Sequence, residues 1–538
     1  MRDPIVIIGA GASAVHAAQT ALEAGRKVVM LDVGGVGAPP VMPGASLNQL
    51  KSQLDDPVSY FLGEDFSALV LPTDGDEYYG LPPSKDYVFG GGLNRDVETR
   101  GFAPLWSGAA GGLGQAWTGG CYPFSDGELA AFPFGWKEME PAYSEVARRI
   151  GVSGSIADDL SPFMPAHDAI QPPVVLDAHS EQLLAAYERK KTTLHRKQNM
   201  ALGRARLATL SADHLSRPAC SHCGRCLWGC PTESIYTPSV TLALCRRHPN
   251  FTYIGKVRVE RFLFDDRNAV THVVATHTET GEATTLEVGS LVLAAGALGS
   301  GRILLESLHH AGVRAELDGL MDNRQVLMPF VNLRRIGSGF DDRSYQYNQL
   351  AAGAPGVTPF DYVHGLITTL TTALIHPVAQ TLPSGMRMAT SAFRNLHGAL
   401  GLANINFPDT RRTENRMTIE PGPDGRTRLL IQYTPDTGEA ARLKATIARF
   451  RSFLMAIGCI APPSMTRPRP MGASVHYAGL TPMMTQGGDY TTDALGRCRP
   501  FENLIIADGA TFSSLPAKNL TFTLMANATR IMRGNLDG

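Results

Sequence analysis

Short apolar runs punctuate the chain at Ile5–Ile8, 28–31, 291–294 and 504–507, and each stops at a glycine turn or a polar residue. Runs this short and this uniformly apolar suit strands buried on both faces of a parallel sheet. A helical pattern fills 13–24 and ends at Gly25, where a C-cap belongs. Further helices are expected over 301–307, after the third run, and over 521–532, after the fourth, where Asn519 or Thr521 can cap the first turn. The rhythm changes in the middle of the chain. Segments 415–420 and 428–433 are strand-like, and the Pro-, Gly- and Asp-rich 421–425 joins them as a hairpin loop. Segment 437–458 reads as an amphipathic helix, and the apolar 362–375, stopped by Pro377, as a buried helix. Segment 36–85 is an irregular Pro- and Gly-rich excursion. Strands alternating with helices place the fold in the α/β class.

The first strand, turn and helix carry the clearest chemistry. Gly9 makes the tight turn after the strand, Gly11 lets a pyrophosphate approach the backbone at the helix N-terminus, and Ala14 lets helix and strand pack closely. Asp32 ends the second strand about 20 residues on, where an acid accepts hydrogen bonds from a ribose hydroxyl. Glycines alone would be weak evidence. Their placement between strand and helix, with the acid, predicts a Rossmann-type dinucleotide site, without choosing between FAD and NAD.

Composition narrows the class. The 538 residues exceed what one simple core needs, so two domains, or one domain with a large elaboration, are expected. With 43% hydrophobic and 18% charged residues, a net charge of −1 and no basic block, the chain is a globular enzyme type with no nucleic-acid partner expected. No apolar stretch approaches the roughly 18 residues of a membrane span, and a strand begins almost at residue 1, so a cytoplasmic protein without a leader is expected.

Several motifs recur in one known order. They are the Gly9–Ala14 turn with Asp32, the 294–300 turn AAGALGS, His476 in SVHYAG, Asp508 with Gly509, and Asn519 before LTFT. A further stretch runs from Gly111 through Trp117 and Thr118 to Gly120, followed by Trp136 and a helix through Tyr143. Together these resemble the glucose-methanol-choline (GMC) family of FAD oxidoreductases, and most closely its pyranose-oxidase-like branch. The resemblance implies a flavin pocket drawing on Gly9, Gly11, Ala14, Asp32, Trp117, Thr118, Val257, Ala295, Gly296, Asp508, Gly509, Asn519 and Thr521. It implies a discontinuous Rossmann-type FAD domain over 1–150, 220–310 and 471–538. A sheet-plus-helices (α+β) substrate domain would take 151–219 and 311–470. It also implies oxidation of a small-molecule alcohol, such as a sugar or glycoside, with oxygen or an external electron acceptor. His476 would be the base and Asn519 its partner at the substrate hydroxyl; on residue chemistry alone, His476 could as well be a satisfied core histidine and Asn519 a plain cap. In the pyranose-oxidase branch a His before the Trp-Thr pair bonds covalently to the flavin; here that place is Ala116, so non-covalent FAD is expected. Two other readings stay open: a lyase or decarboxylase on the same fold, and an NAD-dependent reductase, weakened by the absence of a second strand-GxGxxG unit.

Cys220, Cys223, Cys226 and Cys230, followed by Pro231, have the ferredoxin spacing for an iron–sulfur cluster. Zinc is a second possible occupant. A tight loop with free thiols is the competing expectation.

Overall fold

A computed structural model of the chain describes residues 4–68, 82–89, 93, 96–165, 167–339, 341–369, 385–422 and 426–537. Its centre is a five-stranded parallel sheet in the order Leu504–Ile506, Ser290–Leu293, Ile5–Ile8, Val28–Leu31, Phe251–Ile254. Ile5–Ile8 is buried along its whole length. Ile5 and Ile7 pack with the helix Ala12–Glu23 and with Ala528 and Ile531 of the C-terminal helix Thr521–Asp537. Val6 and Ile8 face the other way, onto Leu304 of the helix Ala297–His310 and onto Phe262 and Val273 of a three-stranded antiparallel sheet. Two covered faces explain the absence of polar alternation in these strands.

Most expected elements form close to their expected ends. The helix expected over 301–307 is longer, Ala297–His310, because it starts inside the glycine turn and places that turn's backbone on its N-terminus. The hairpin forms from Arg416–Pro421 and Thr427–Gln432, and the amphipathic helix spans Glu439–Ala456.

One expectation is overturned. The described part of 362–375 is the strand Val363–Thr369, not a helix; 370–375 lies outside the described residues. Its β-branched Val363, Ile367, Thr368 and Thr369 favour an extended backbone, and Gly365 makes room for the ring of Phe450: a Cβ there would fall 2.6 Å from a ring carbon.

This strand belongs to a seven-stranded antiparallel sheet built around Gln325–Asn332, Leu400–Asn406, Val363–Thr369, Leu350–Ala354 and Ala201–Arg204. Val326, Met328 and Phe330 point to one side, into a core with Phe450 and Phe453 of Glu439–Ala456 and with Leu183 and Tyr187 of Ala178–Glu188. Gln325 and Leu327, one residue out of step, face a cavity on the other side. No described helix is long and apolar enough to cross a membrane.

Candidate active site

The cavity, about 590 Å³, runs from Asp32 at the edge of the parallel sheet to the Gln325 face of the seven-stranded sheet. Its first half is built from backbone. Gly9 has φ +98°, and a Cβ there would lie 2.6 Å from the Ala294 carbonyl oxygen, so only glycine lets the two glycine turns meet. Gly11 N-caps Ala12–Glu23 with no side-chain cap, and a Cβ built on it meets nothing within 4 Å. The first-turn N–H groups beside Ala12 and Ser13 therefore open on the cavity, with the positive end of the helix dipole behind them. Ala14 does not line the cavity; it is fully buried between helix and strand, as its small size suggested.

Asp32 lines the same end and accepts a hydrogen bond from Tyr253 Oη at 3.0 Å. Burial raises its pKa to about 6, against the pull of that bond and of backbone donors. The second turn adds Ala295 and Gly296, and the last strand adds Asp508 and Gly509. Asp508 joins the two, accepting from Ser300 Oγ at 2.5 Å and from Ala510 N at 2.9 Å. Val257, Ala116, Trp117, Thr118, Asn519 and Thr521 also line the cavity. Trp117 is fixed by donating from Nε1 to the Tyr236 carbonyl at 2.7 Å, and the Thr118 carbonyl accepts from Tyr345 Oη at 3.1 Å. All the residues named from sequence for the nucleotide, Ala14 excepted, thus meet in one cavity. An uncapped helix N-terminus, a close glycine approach and an acid at the strand end are the donor and acceptor set that a pyrophosphate and a ribose require, and FAD fits it.

At the far end His476 and Asn519 meet. Asn519 Nδ2 lies 3.4 Å from His476 Nε2, and Asn519 Oδ1 is buried without a hydrogen-bond partner. On the other side of the ring, His476 Nδ1 lies 2.9 Å from Asn323 Oδ1. Asn323 cannot be turned round, because its Nδ2 donates to the carbonyls of Phe407, at 2.8 Å, and Pro516, at 3.0 Å. Its oxygen therefore accepts from Nδ1–H, which leaves the Nε2 lone pair towards Asn519 and the cavity. Burial, and then the charge of Arg469, lower the His476 pKa to about 4, so the ring is neutral near pH 7.

The loop carrying His476 is held from below by Asp322. This fully buried carboxylate accepts from Gly472 N at 2.6 Å, from the Ser474 hydroxyl and from His476 N at 3.3 Å. Val475, at φ +64°, sits in the left-handed region that this clamp enforces.

Neither Asn323 nor Asp322 could be singled out from sequence. Each is separated from the His476 loop by more than 140 residues, and adjacent Asp-Asn before a strand reads as an ordinary turn. Replacing Asn323 with Leu should lower kcat about 10- to 100-fold. The change loses the tautomer lock and leaves two buried carbonyls unpaired. Asn323→Gln, which restores the amide, is the control, and steady-state rates with bound flavin check the effect.

The four cysteines lie near one another in one loop. Among the described residues, no group of three or more His, Cys, Asp or Glu side chains is arranged to hold a metal ion. Cys226 Sγ accepts from Gln346 N at 3.4 Å, and burial pushes the Cys220 thiol up to about 11 and that of Cys226 well above its usual value. The loop acts as a brace. The buried Arg225 donates to the carbonyls of Val41, Met42 and Ala45, Leu47 N donates to the Cys223 carbonyl, and Leu227 reaches the cavity.

The chain is similar to several known oxidoreductases. The GMC oxidoreductase family matches over residues 411–528. The 6'''-hydroxyparomomycin C oxidase of Streptomyces lividus is 24% identical over 98% of this chain and 90% of its own length. The C-glycoside 3-oxidase of Microbacterium trichothecenolyticum is 25% identical over 82% of this chain and 78% of its own length. The paromamine 6'-oxidase of Streptomyces fradiae is 24% identical over 98% and 90%. Among solved structures, pyridoxine 4-oxidase from Mesorbium loti shares the fold with a TM-score of 0.59 at 14% identity over 99% of both chains. A formate oxidase variant from Aspergillus oryzae RIB40 does so at 0.59 and 11% identity, over 99% of this chain and 98% of its own. Residues 411–528 thus match the GMC oxidoreductase family, and along nearly its whole length the chain is similar to oxidases.

Proposed function

We propose that the protein oxidises a CH–OH group of a sugar or glycoside to a carbonyl, with His476 as the base. The observation that carries this is the locked, neutral imidazole whose Nε2 lone pair faces the cavity beside Asn519. An alcohol hydroxyl is too weak an acid to ionise unaided near neutral pH, so a positioned base must take its proton. Nε2 is that base. Asn519 Nδ2 donates to the substrate oxygen and holds it against Nε2, while Asn323 Oδ1 steadies the ring as it becomes charged. FAD, bound along Gly9, Gly11, Asp32, Ala295 and Asp508, supplies the two-electron acceptor for the hydride. The oxidases among the relatives act on glycoside hydroxyls by their names, which supports the substrate class. Ala116 offers only a methyl group to the cavity, which supports a non-covalent flavin.

The test is anaerobic addition of simple glycosides to the purified protein, followed by visible absorption. Loss of the oxidised flavin bands, with carbonyl product recovered, is expected, and acid denaturation should release all the FAD into the supernatant. A flavin that no hydroxyl compound bleaches overturns the oxidation. A flavin that stays with the polypeptide overturns the non-covalent attachment. Re-oxidation by air, compared with re-oxidation by a quinone or dye, separates an oxidase from a dehydrogenase.

A further inference from the structure

The wall at the far end of the cavity is one face of the seven-stranded sheet. Gln325 and Leu327, Leu366 and Thr368, and Leu402 and Asn404 reach the cavity from three neighbouring strands, at alternate positions of each. Asn404 stands in the middle of this face. Across the ladders it is paired with Leu327 on one side and Leu366 on the other, and Leu402 lies two residues before it. Its Oδ1 is buried and has no hydrogen-bond partner.

The three leucines offer that oxygen only carbon. The next amides on the same face are committed elsewhere. Gln325 donates from Nε2 to Asn406 Oδ1 at 2.8 Å, and Asn406 Nδ2 lies 3.4 Å from the backbone carbonyls of His364 and Asn404, to which it donates. An amide oxygen held bare in an apolar frame costs free energy that a leucine in its place would not. Its donor has to come from the cavity. The strand that carries Asn404 also steadies the base. The Phe407 carbonyl, just past the end of Leu400–Asn406, accepts from Asn323, whose oxygen locks His476. Asn404 precedes Phe407 by about 10 Å of strand.

We propose that Asn404 is a specificity-determining residue: its Oδ1 accepts a hydrogen bond from a second, non-reacting hydroxyl of the substrate, and so selects polyhydroxylated compounds over those with a single hydroxyl. This rests on the oxidation reading above. Binding displaces solvent from the wall. A substrate that presents O–H to Asn404 pairs the oxygen. One that presents C–H leaves a desolvated acceptor bare, and sites built to pair a hydroxyl discriminate strongly against such analogues. Asn404 takes no part in the proton transfer, which stays with His476.

The experiment uses the full-length, FAD-loaded protein and, of the methyl glycosides of glucose, galactose and mannose, the one that bleaches the flavin fastest. Its kcat/KM is compared with those of its monodeoxy derivatives. The derivative without the reacting hydroxyl is inert and identifies that position. Of the others, one should lose about 10- to 100-fold in the wild type. Its deoxyfluoro counterpart, which cannot donate, should lose as much. Asn404→Leu should bring that derivative level with the parent glycoside, whatever it does to the absolute rates. Asn404→Asp, which keeps an acceptor, should preserve the discrimination. The melting temperature of Asn404→Leu should not fall, because the change removes an unpaired oxygen; a merely structural role would lower it and slow all the glycosides alike. Asn404→Ala gives the same comparison if the Leu variant loses its flavin. A discrimination unchanged in these two variants, no derivative-specific loss in the wild type, or rescue by fluorine would overturn the proposal. If none of the three glycosides bleaches the flavin, the oxidation of glycosides is itself overturned, and with it this inference.

Discussion

Replacing His476 with Ala is expected to lower kcat by about 10²- to 10⁴-fold, the usual worth of a general base, while the flavin stays bound. The nucleotide half of the cavity makes no use of this side chain. The wild-type pH profile should carry the same signature. The groups around the ring are Asn323 at Nδ1, Asn519 at Nε2 and the Arg469 charge, while Asp322 holds the loop through the Gly472 and His476 N–H groups and the Ser474 hydroxyl. None of these favours the imidazolium enough to offset burial. With a pKa of about 4 the ring stays unprotonated well below the usual 6.5, so the acid limb of kcat/KM should lie about two pH units lower than for an ordinary histidine. An acid limb at 6.5 in Arg469-intact enzyme would contradict the burial argument. Initial rates are required, because stability moves with pH as well. His167 and His179 are also held to about 4, and His364 to about 3, by burial. The unfolded chain takes up protons at these histidines below 6.5 while the native state does not, so stability falls as the pH drops below that value.

The second large effect is at Gly9. Gly9→Ala places a Cβ against the Ala294 carbonyl oxygen and the Ala295 Cα, at 2.6 and 3.0 Å, on a backbone at φ +98°. The left-handed strain and the overpacking together should cost roughly 2–5 kcal/mol. Since the clash forces the two glycine turns apart, the protein should purify largely without FAD. Gly281→Ala is the matched control. Its φ is +73° and its Cβ would meet nothing within 4 Å, so it carries the conformational cost alone and should keep its flavin. The flavin-to-protein absorbance ratio and the melting temperature of the two variants check this. A Gly9→Ala protein with full flavin would remove the steric account of the site.

The contrast between the two ends of the cavity explains what the sequence could and could not disclose. Residues 5–32 form strand, turn, helix and strand in immediate succession, so the chemistry of Gly9, Gly11 and Asp32 is set by neighbours in the chain and is legible there. The substrate wall follows a different rule. In Gln325–Asn332 the outward Val326, Met328 and Phe330 meet a helical layer, while inward Leu327 and neighbouring Leu366 and Leu402 are apolar too. Alternation is therefore muted. The same double-sided burial made Val363–Thr369 resemble a buried helix, although its β-branched residues argued for a strand. The partner of His476 was hidden for a plainer reason: Asn323 becomes its neighbour only after the sheet has formed. In the cysteine run, what the structure adds to the spacing is Arg225, which braces the loop through the backbone carbonyls of Val41, Met42 and Ala45.

The order of the parallel sheet also bears on biosynthesis. Its strands are drawn from residues 5–8, 28–31, 251–254, 290–293 and 504–506, and the final helix, beginning at Thr521, packs against the first. A nascent chain therefore exposes the uncapped turn at Gly11 early but cannot close the cavity around it until the last strand and helix have left the ribosome. Cofactor capture is in this sense a late event, because it draws on residues from 9 to 521. A product cut short after residue 500 would retain the glycine motif yet lack Asp508, Gly509, Asn519 and the edge strand.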